Sequence, residues 1–455
     1  MLSTLLKTLY RYIPHSLHQF QEGFTTWFSV QYQLWKLSEY EVMVSSQQNM
    51  HPNSSVHQMV HIGRKRLVFI GGGHAHVSVL KTIAENWKHD LIITLISPHT
   101  HLVYSGLFPG CISGAVDRQD ARVHLPALCA YANVEFINGW ATAIHDNDQR
   151  VVYTTSNGTS NSISYDILSV NIGSIPTLPG AVADNILDIK NVFSFKPIHG
   201  EFFKAWTEME EKMRNNVATT WRLVMIGGGA SGTEMTLSIY HKLQSEANRR
   251  GIQMADWIQM TLVTQSESIL MGHNTTARRI MQDELQLRQV QIIKKCSIVE
   301  MTTNVLLADD GTKIPYDYCF ACTQARAPSW LKESGLEVDH QGCLLVEATL
   351  KCIPNTKSTV FAVGDCATLR NSPCPKAGVF AVRQSSILAA NLRHVLLDEK
   401  LESFTRQEQF LSLLGMGDGT CLASKGKLAL RAEWVWELKN TIDRRWVSSY
   451  SNLEN

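Results

Sequence analysis

The stretch Leu67-Val68-Phe69-Ile70-Gly71-Gly72-Gly73-His74-Ala75-His76 decides the fold. Four apolar residues run directly into three glycines, and a helix-like segment follows. Such a run reads as a buried parallel strand turning tightly into the N-terminus of a helix. A second copy lies at Leu223-Val224-Met225-Ile226-Gly227-Gly228-Gly229-Ala230-Ser231-Gly232-Thr233-Glu234. Glycines let the backbone approach a pyrophosphate, and the helix behind offers unpaired N–H groups and the positive end of its dipole. Two such turns predict two dinucleotides, one in each of two units.

The two turns are unequal. Gly227, Gly229 and Gly232 fill all three positions of the GxGxxG pattern, after a strand and before a helix. In the first turn Gly71 and Gly73 fit, but His76 takes the third position. A side chain there predicts a wider approach between helix and strand. The carboxylate expected on a ribose after the next strand is missing from both units. Ser97 follows Leu91 to Ile96, and Thr264 ends the run from Trp257. A hydroxyl does not repel a 2′-phosphate, so NADH and NADPH both stay open. Arg278 and Arg279 are candidate phosphate contacts, with a solvated helix face as the alternative.

Working outward, Val77 to Trp87 is a helix candidate, and shorter strands are expected between Val134 and Val170. Thr233 to Ala247 and Thr275 to Arg288 read as helices of the second unit. Asp309-Asp310-Gly311 has the turn chemistry of a hairpin. Val360 to Asp365 is another apolar strand ending in Gly-Asp, and Ala377 to Leu397 another helix, so the chain returns to its first unit. The fold class is α/β: two Rossmann-like nucleotide-binding domains, the second inserted in the first, with a C-terminal accessory region and an N-terminal helical extension. The expected segments are 1–65 (extension and linker), 66–200 and 335–410 (first domain), 201–334 (second domain) and 411–455 (C-terminal interface or membrane-surface region).

The chain has 455 residues, enough for two or three domains. A net charge of +1 without a long basic run gives nucleic-acid binding no support. No apolar run approaches the roughly 18 residues of a membrane span, and the N-terminus does not read as a secretory signal. Residues 1–44 are rich in aromatics, and Trp27, Phe28, Gln31, Leu34 and Trp35 recur at helical spacing. That helix has three readings: cover for the body of the protein or a homodimer contact, a partner surface, or peripheral membrane contact. Trp434, Leu438, Ile442 and Trp446 form a similar stripe in the tail, with Lys439, Arg444 and Arg445 nearby.

Ten cysteines carry no repeated CxxC arrangement, and no Cys-x-x-x-x-Cys follows the first turn. That argues against a disulfide framework and a glutathione-reductase type of dithiol. His74, His76, His99 and His101 invite a metal reading, but His74 and His76 lie across a phosphate turn and no Cys/Asp set accompanies them. The expectation is no metal.

With these residues in place, the chain resembles the two-dinucleotide flavoproteins, including type II NADH dehydrogenases and sulfide:quinone reductases. More narrowly it resembles the flavoprotein module often fused to selenide, water dikinase. The likeness rests on Gly71 to His76, Tyr104-Ser105-Gly106-Leu107-Phe108-Pro109-Gly110, Asn171-Ile172-Gly173-Ser174, Val360 to Asp365, Lys376 to Gln384, and Trp436 to Trp446. It implies FAD at the first turn and NAD(P)H at the second. Gly71, Gly73, His74, Ala75 and His76 would then border FAD, together with Ser97, Ser105 and Gly173. Gly364 and Asp365 would meet its ribityl or phosphate side, and Lys376, Ala377 and Gly378 its ring. Gly227, Gly229, Gly232 and Thr264 would hold the nicotinamide dinucleotide, with Glu234 on the nicotinamide side. Lys376 and Glu234 are the implied catalytic candidates. Cys322-Thr323-Gln324 departs from the usual Ala-Thr-Gly-like segment.

The implied chemistry is hydride transfer from nicotinamide C4 to flavin N5, then electron transfer to an acceptor, quinone first. The alternatives are oxidoreduction of a selenium or sulfur compound, or a non-catalytic flavoprotein sensor or assembly partner. The implied location is cytoplasmic, with peripheral contact on the inner face of the membrane as a further expectation.

Overall fold

The structure, a computed structural model, describes residues 65–87, 90–177, 186–188, 207, 211, 220–353 and 359–453. The N-terminal extension lies outside the described residues.

The first domain opens with β1 (Arg66–Ile70), α1 (His74–Asn86) and β2 (Ile92–Ser97). A short excursion follows: β3 (His101–Val103), α2 (Phe108–Ser113), β4 (Arg122–His124) and α3 (Leu125–Tyr131). Then come β5 (Glu135–His145), β6 (Arg150–Thr155), β7 (Ser160–Ser164) and β8 (Ile167–Val170). The crossing to the second domain carries β9 (Ile175–Pro176) and β10 (Ile186–Asp188). The second domain holds β11 (Trp221–Ile226), α4 (Ala230–Arg249), β12 (Ile258–Val263), α5 (Thr275–Leu287) and β13 (Gln291–Ile293). It closes with the meander β14 (Ile298–Met301), β15 (Val305–Ala308) and β16 (Lys313–Pro315), then β17 (Tyr318–Ala321) and β18 (Ala325–Arg326). The return comprises β19 (Leu344–Val346), β20 (Thr359–Ala362), β21 (Ala367–Leu369) and α6 (Gly378–Leu397). The tail is β22 (Ser412–Gly415), β23 (Cys421–Lys425), β24 (Leu428–Ala432) and α7 (Glu433–Ser451).

The first sheet runs β20-β8-β1-β2-β5-β6-β7. From β20 to β5 it is parallel, and β6 and β7 add an antiparallel edge. Strand β20 therefore joins the sheet that β1 began, after the chain has built another sheet in between. That other sheet, β10-β17-β11-β12-β13, is parallel throughout. Parallel strands covered on both faces need side chains that are apolar on both faces. Leu67, Val68, Phe69 and Ile70 are all buried, as are Leu223, Val224, Met225 and Ile226.

The tail carries more structure than its sequence announces. It contains a three-stranded antiparallel sheet ahead of the helix. Helix α7 buries Val435, Lys439, Asp443 and Val447, beside the amphipathic stripe of Trp434, Leu438, Ile442 and Trp446 that the sequence offers as a surface. The apolar stripe lies half-buried along its flank. The tail joins the two domains. Asn274 at the start of α5 donates to Ser424 Oγ (3.2 Å), Gly426 O (3.1 Å) and Leu428 O (2.9 Å). From α1, Lys81 reaches Ser449 O on α7 at 2.6 Å.

Candidate functional site

The first turn is built around Asn171, the residue after β8. Its Oδ1 accepts from the N–H groups of Ala75 (3.1 Å) and His76 (3.4 Å), and its Nδ2 donates to Val363 O at 2.9 Å. Two of the orphan donors of α1 are thus satisfied from the side. The glycines are obligatory for the same reason. Gly71 has φ +89°, and a Cβ there would lie 2.5 Å from Asn171 O; at Gly73 it would lie 2.2 Å from Asn171 Oδ1. Gly364, at φ +72°, leaves no more room: a Cβ would meet Asn171 Nδ2 at 2.6 Å. Its N–H donates to Gln384 Oε1 on α6 at 2.7 Å. Asp365 accepts from Ser174 Oγ at 3.1 Å, just after Gly173, itself at φ +71°. The structure therefore gathers Gly71, Gly73, Ala75, Gly173, Gly364 and Asp365 at the carboxyl edge of one parallel sheet. Nucleotides bind at such edges.

The departure at His76 is accommodated by a specific bond. Its ring is fully buried, with Nδ1 2.6 Å from Gly71 O and Nε2 2.9 Å from Ser169 Oγ. A carbonyl can only accept, so Nδ1 carries the proton and Nε2 accepts from the serine hydroxyl. Burial pushes this imidazole down to about 3, against the pull of Gly71 O, so it is neutral at physiological pH. The equivalent Gly232 of the second unit has no room at all: a Cβ would stand 1.8 Å from Gly227 O. Helix α1 therefore stands off far enough for an imidazole to bridge the gap, the wider approach expected from sequence.

His74 packs against both Tyr104 and Trp446, at ring separations of 5.4 and 5.3 Å, and those two rings stack on each other at 4.6 Å. Its Nε2 is buried with no hydrogen-bond partner among the described residues. Burial pushes it down to about 4, more than nearby Asp365 raises it. Gly378, the first residue of α6, sits against this group. A Cβ there would be 3.2 Å from Ser105 Oγ and 3.9 Å from His74 Nε2. Ala377 is the extended residue that caps α6. Lys376 turns away, its ammonium donating to Ala367 O (2.6 Å) and Thr368 Oγ1 (2.8 Å).

In the second turn Gly227 has φ +120°, and a Cβ would lie 2.2 Å from Cys322 O. Gly229 caps α4 from an open position. Thr264 directly follows β12, its hydroxyl accepting from Ser266 N at 3.3 Å. The unusual Cys322-Thr323-Gln324 segment works through its backbone. Cys322 N donates to Ile226 O at 2.7 Å, and Thr177 N to Gln324 O at 2.8 Å. Of the two candidate phosphate arginines, Arg278 points a guanidinium N–H at Met271 Sδ (3.7 Å), while Arg279 is exposed.

Glu234 is half-buried, against the tail. Its Oε1 accepts from Gly415 N at 2.7 Å. Burial raises its carboxyl to about 7, with Asp443 adding and Lys439 and Gly415 N–H opposing. Lys439 donates to Asp443 Oδ2 at 2.6 Å and to Gly106 O. Burial pulls the ammonium down, but Asp443 and Glu234 outweigh it and hold the lysine charged.

This arrangement sets a pH dependence. Native Glu234 keeps its proton between the ordinary value of 4.5 and about 7, so folding takes up a proton there and stability falls as pH rises through that window. The depressed imidazoles of His74 and His76 act oppositely, losing their contribution as pH falls from 6.5 through about 4 and about 3. Glu234→Gln isolates the first effect. Denaturant midpoints at pH 5 and pH 8 should show the variant gaining on wild type by up to about 3 kcal/mol at the higher pH. Parallel pH profiles would remove Glu234 from this role.

The sequence places Asn171, Gln384 and Asp443 within motifs but gives none of them a role. A polar residue directly after the buried strand Ile167–Val170 was the available signal for Asn171. Asp443 had none. His101 faces His124 at 4.8 Å, and among the described residues no three metal-ligating side chains converge.

The family model described as pyridine nucleotide-disulphide oxidoreductase matches residues 65–385. A type II NADH:quinone oxidoreductase of Haemophilus influenzae is 26% identical over 282 residues, covering 58% of this chain and 63% of that protein. The chain thus spans less than two thirds of that relative's length. An NDH2 from Plasmodium falciparum, solved in complex with NADH, superposes with a TM-score of 0.70 at 11% identity, covering 86% of this chain and 100% of that one. The sulfide:quinone oxidoreductase of Aquifex aeolicus gives 0.67 at 18% identity, over 86% and 92% of the two chains. With its two glycine turns at the carboxyl edges of two parallel sheets, the chain belongs to the pyridine nucleotide-disulphide oxidoreductase family, an oxidoreductase whose cofactors are FAD and NAD(P)H.

Proposed function

We propose that the first turn binds FAD, the second binds NAD(P)H, and the electrons pass on to a quinone. The observation that carries this reading is the pair of glycine turns, each at the carboxyl edge of its own parallel sheet within one chain. Gly71 and Gly73 hold the backbone open for a pyrophosphate, and Asp365 and Gly173 line its continuation. The Nε2 of His74, without a hydrogen-bond partner among the described residues, Ser105 Oγ and the start of α6 mark where a polar ring system fits. FAD bound there supplies a two-electron acceptor for the nicotinamide hydride and a donor to the quinone. The protein's task is to orient the two rings, exclude water and place the positive end of α6 beside the flavin.

Quinone is favoured over a sulfur or selenium compound by the state of the cysteines. Thiolates are the reactive form, yet burial pushes Cys111 up to about 11 and Cys366 to about 12, and raises Cys343 and Cys374. Among the described residues no helix is long and apolar enough to cross a membrane. A quinone would therefore be met at a surface, with peripheral contact and a homodimer as the proposed associations.

Anaerobic mixing tests the proposal. The purified protein should be yellow, and NADH or NADPH should bleach its visible absorbance within seconds. Quinone should then restore the colour faster than polysulfide or selenite does. A protein that neither nucleotide bleaches would end this reading, and faster recovery with a chalcogen compound would replace the acceptor.

A further inference from the structure

The carboxyl edge of the first sheet lacks the acid that would hold an adenosine ribose. Strand β2 ends at Ser97, which is buried. Its hydroxyl donates to His99 O at 3.0 Å and accepts from His99 N at 3.3 Å. Its register partner on β5 is Asn138, whose Nδ2 donates to Ser97 O (3.2 Å) and Pro98 O (3.1 Å). The polar groups at this corner are therefore engaged with one another, and none is anionic.

One step beyond that register pair, β5 continues through Gly139 to Trp140. This indole is 46% exposed, one of six large apolar side chains at the surface among the described residues. The His99 ring meets it edge-on, with centroids 5.5 Å apart and planes at 80°. The same sheet edge carries the first glycine turn, because Gly71 N donates to Ile96 O (2.8 Å), one residue before Ser97. A dinucleotide whose pyrophosphate lies on that turn runs its adenosine out past the end of β2. There it meets an aromatic surface in place of a carboxylate.

From this placement we infer that Trp140, braced by His99, is a shelf on which the adenine of the first unit's dinucleotide stacks, replacing recognition of the ribose by an acid. The inference rests on the reading that the first unit holds FAD. It makes the adenine ring, and not the ribose hydroxyls, the handle by which the protein separates FAD from FMN. Stacking of a base on an aromatic side chain is strong enough to change affinity about 10- to 100-fold.

The test uses the full chain stripped of flavin and titrated separately with FAD and FMN, followed by flavin and tryptophan fluorescence. Trp140→Ala should weaken FAD about 10- to 100-fold and leave FMN unchanged, while Trp140→Phe stays near wild type. In competition with FAD, ADP and 2′-deoxy-ADP should be equally effective on wild type, and both should lose effect on the alanine variant. Circular dichroism checks that the variant is folded. The inference is overturned by a Trp140→Ala protein that binds FAD as wild type does, by one that loses FAD and FMN alike, or by strong discrimination against 2′-deoxy-ADP. Wild-type protein that binds no FAD in the same titration overturns the assignment of the first unit itself, a separate and recognisable result.

Discussion

Gly232→Ala will uncouple the two halves of the molecule: the protein will stay yellow, but NADH and NADPH will reduce it only at much higher concentration. The added methyl would stand 1.8 Å from Gly227 O and 3.4 Å from Cys322 Cβ. The helix cannot move towards solvent without moving the turn. The turn cannot yield either, since Gly227 is at φ +120° and a Cβ on it would lie 2.2 Å from Cys322 O. Overpacking of this kind costs about 1–3 kcal/mol, which corresponds to about 10- to 100-fold in nucleotide affinity. The first unit has its own sheet and its own turn, so its flavin content should match wild type. Half-saturation of anaerobic bleaching measures the effect, and flavin per polypeptide supplies the control. Unchanged half-saturation would mean that the second turn does not carry the nicotinamide dinucleotide.

The contrast with His76 explains how much of this was legible in sequence. Apolar runs ending in glycine announced both turns, because a parallel strand buried on both faces leaves an unbroken hydrophobic signature. The return through Val360 to Asp365 was legible for the same reason, and β20 does pair with β8. What sequence could not show was that one imidazole substitutes for the close approach that glycine permits. A histidine in a glycine position reads as a defect until Gly71 O and Ser169 Oγ are seen bonded to its two nitrogens. Asn171 was hidden differently. Its role depends on Val363, Gly364 and α1 meeting around it, and those residues are remote in sequence.

The tail was legible only in part. Periodicity finds the stripe with the most carbon, and on α7 that stripe holds Trp434, Leu438, Ile442 and Trp446. The helix instead buries a stripe containing a lysine and an aspartate, which charge compensation allows and hydropathy cannot anticipate. The strands β22 to β24 are only four or five residues long, too short for alternation to stand out from a glycine-rich loop.

That buried pair leads to the largest expected loss of stability. Lys439 is 5% exposed and Asp443 7% exposed, with Glu234 close enough to feel the lysine's charge. Lys439→Met removes the cation paired with Asp443 and leaves that buried carboxyl group without its partner. It also deprives Gly106 O of its donor, one residue from Ser105 at the proposed flavin site. Breaking a buried pair from one side costs about 3–5 kcal/mol, because the surviving charge is stranded. Asp443→Leu should cost a similar amount for the mirror-image reason. The double variant, Lys439→Met with Asp443→Leu, should recover most of the loss, since an apolar pair of similar volume needs no solvation. Denaturant unfolding of wild type, both single variants and the double variant measures this coupling directly. Additive losses in the double variant would show that the two charges contribute separately, and that the pair is not what seats α7 against the nucleotide-binding domains. In that case the tail would be held by its flanking aromatic rings, Trp446 on Tyr104 and Trp436 beside Gly110, and shortening those side chains would become the change that releases it.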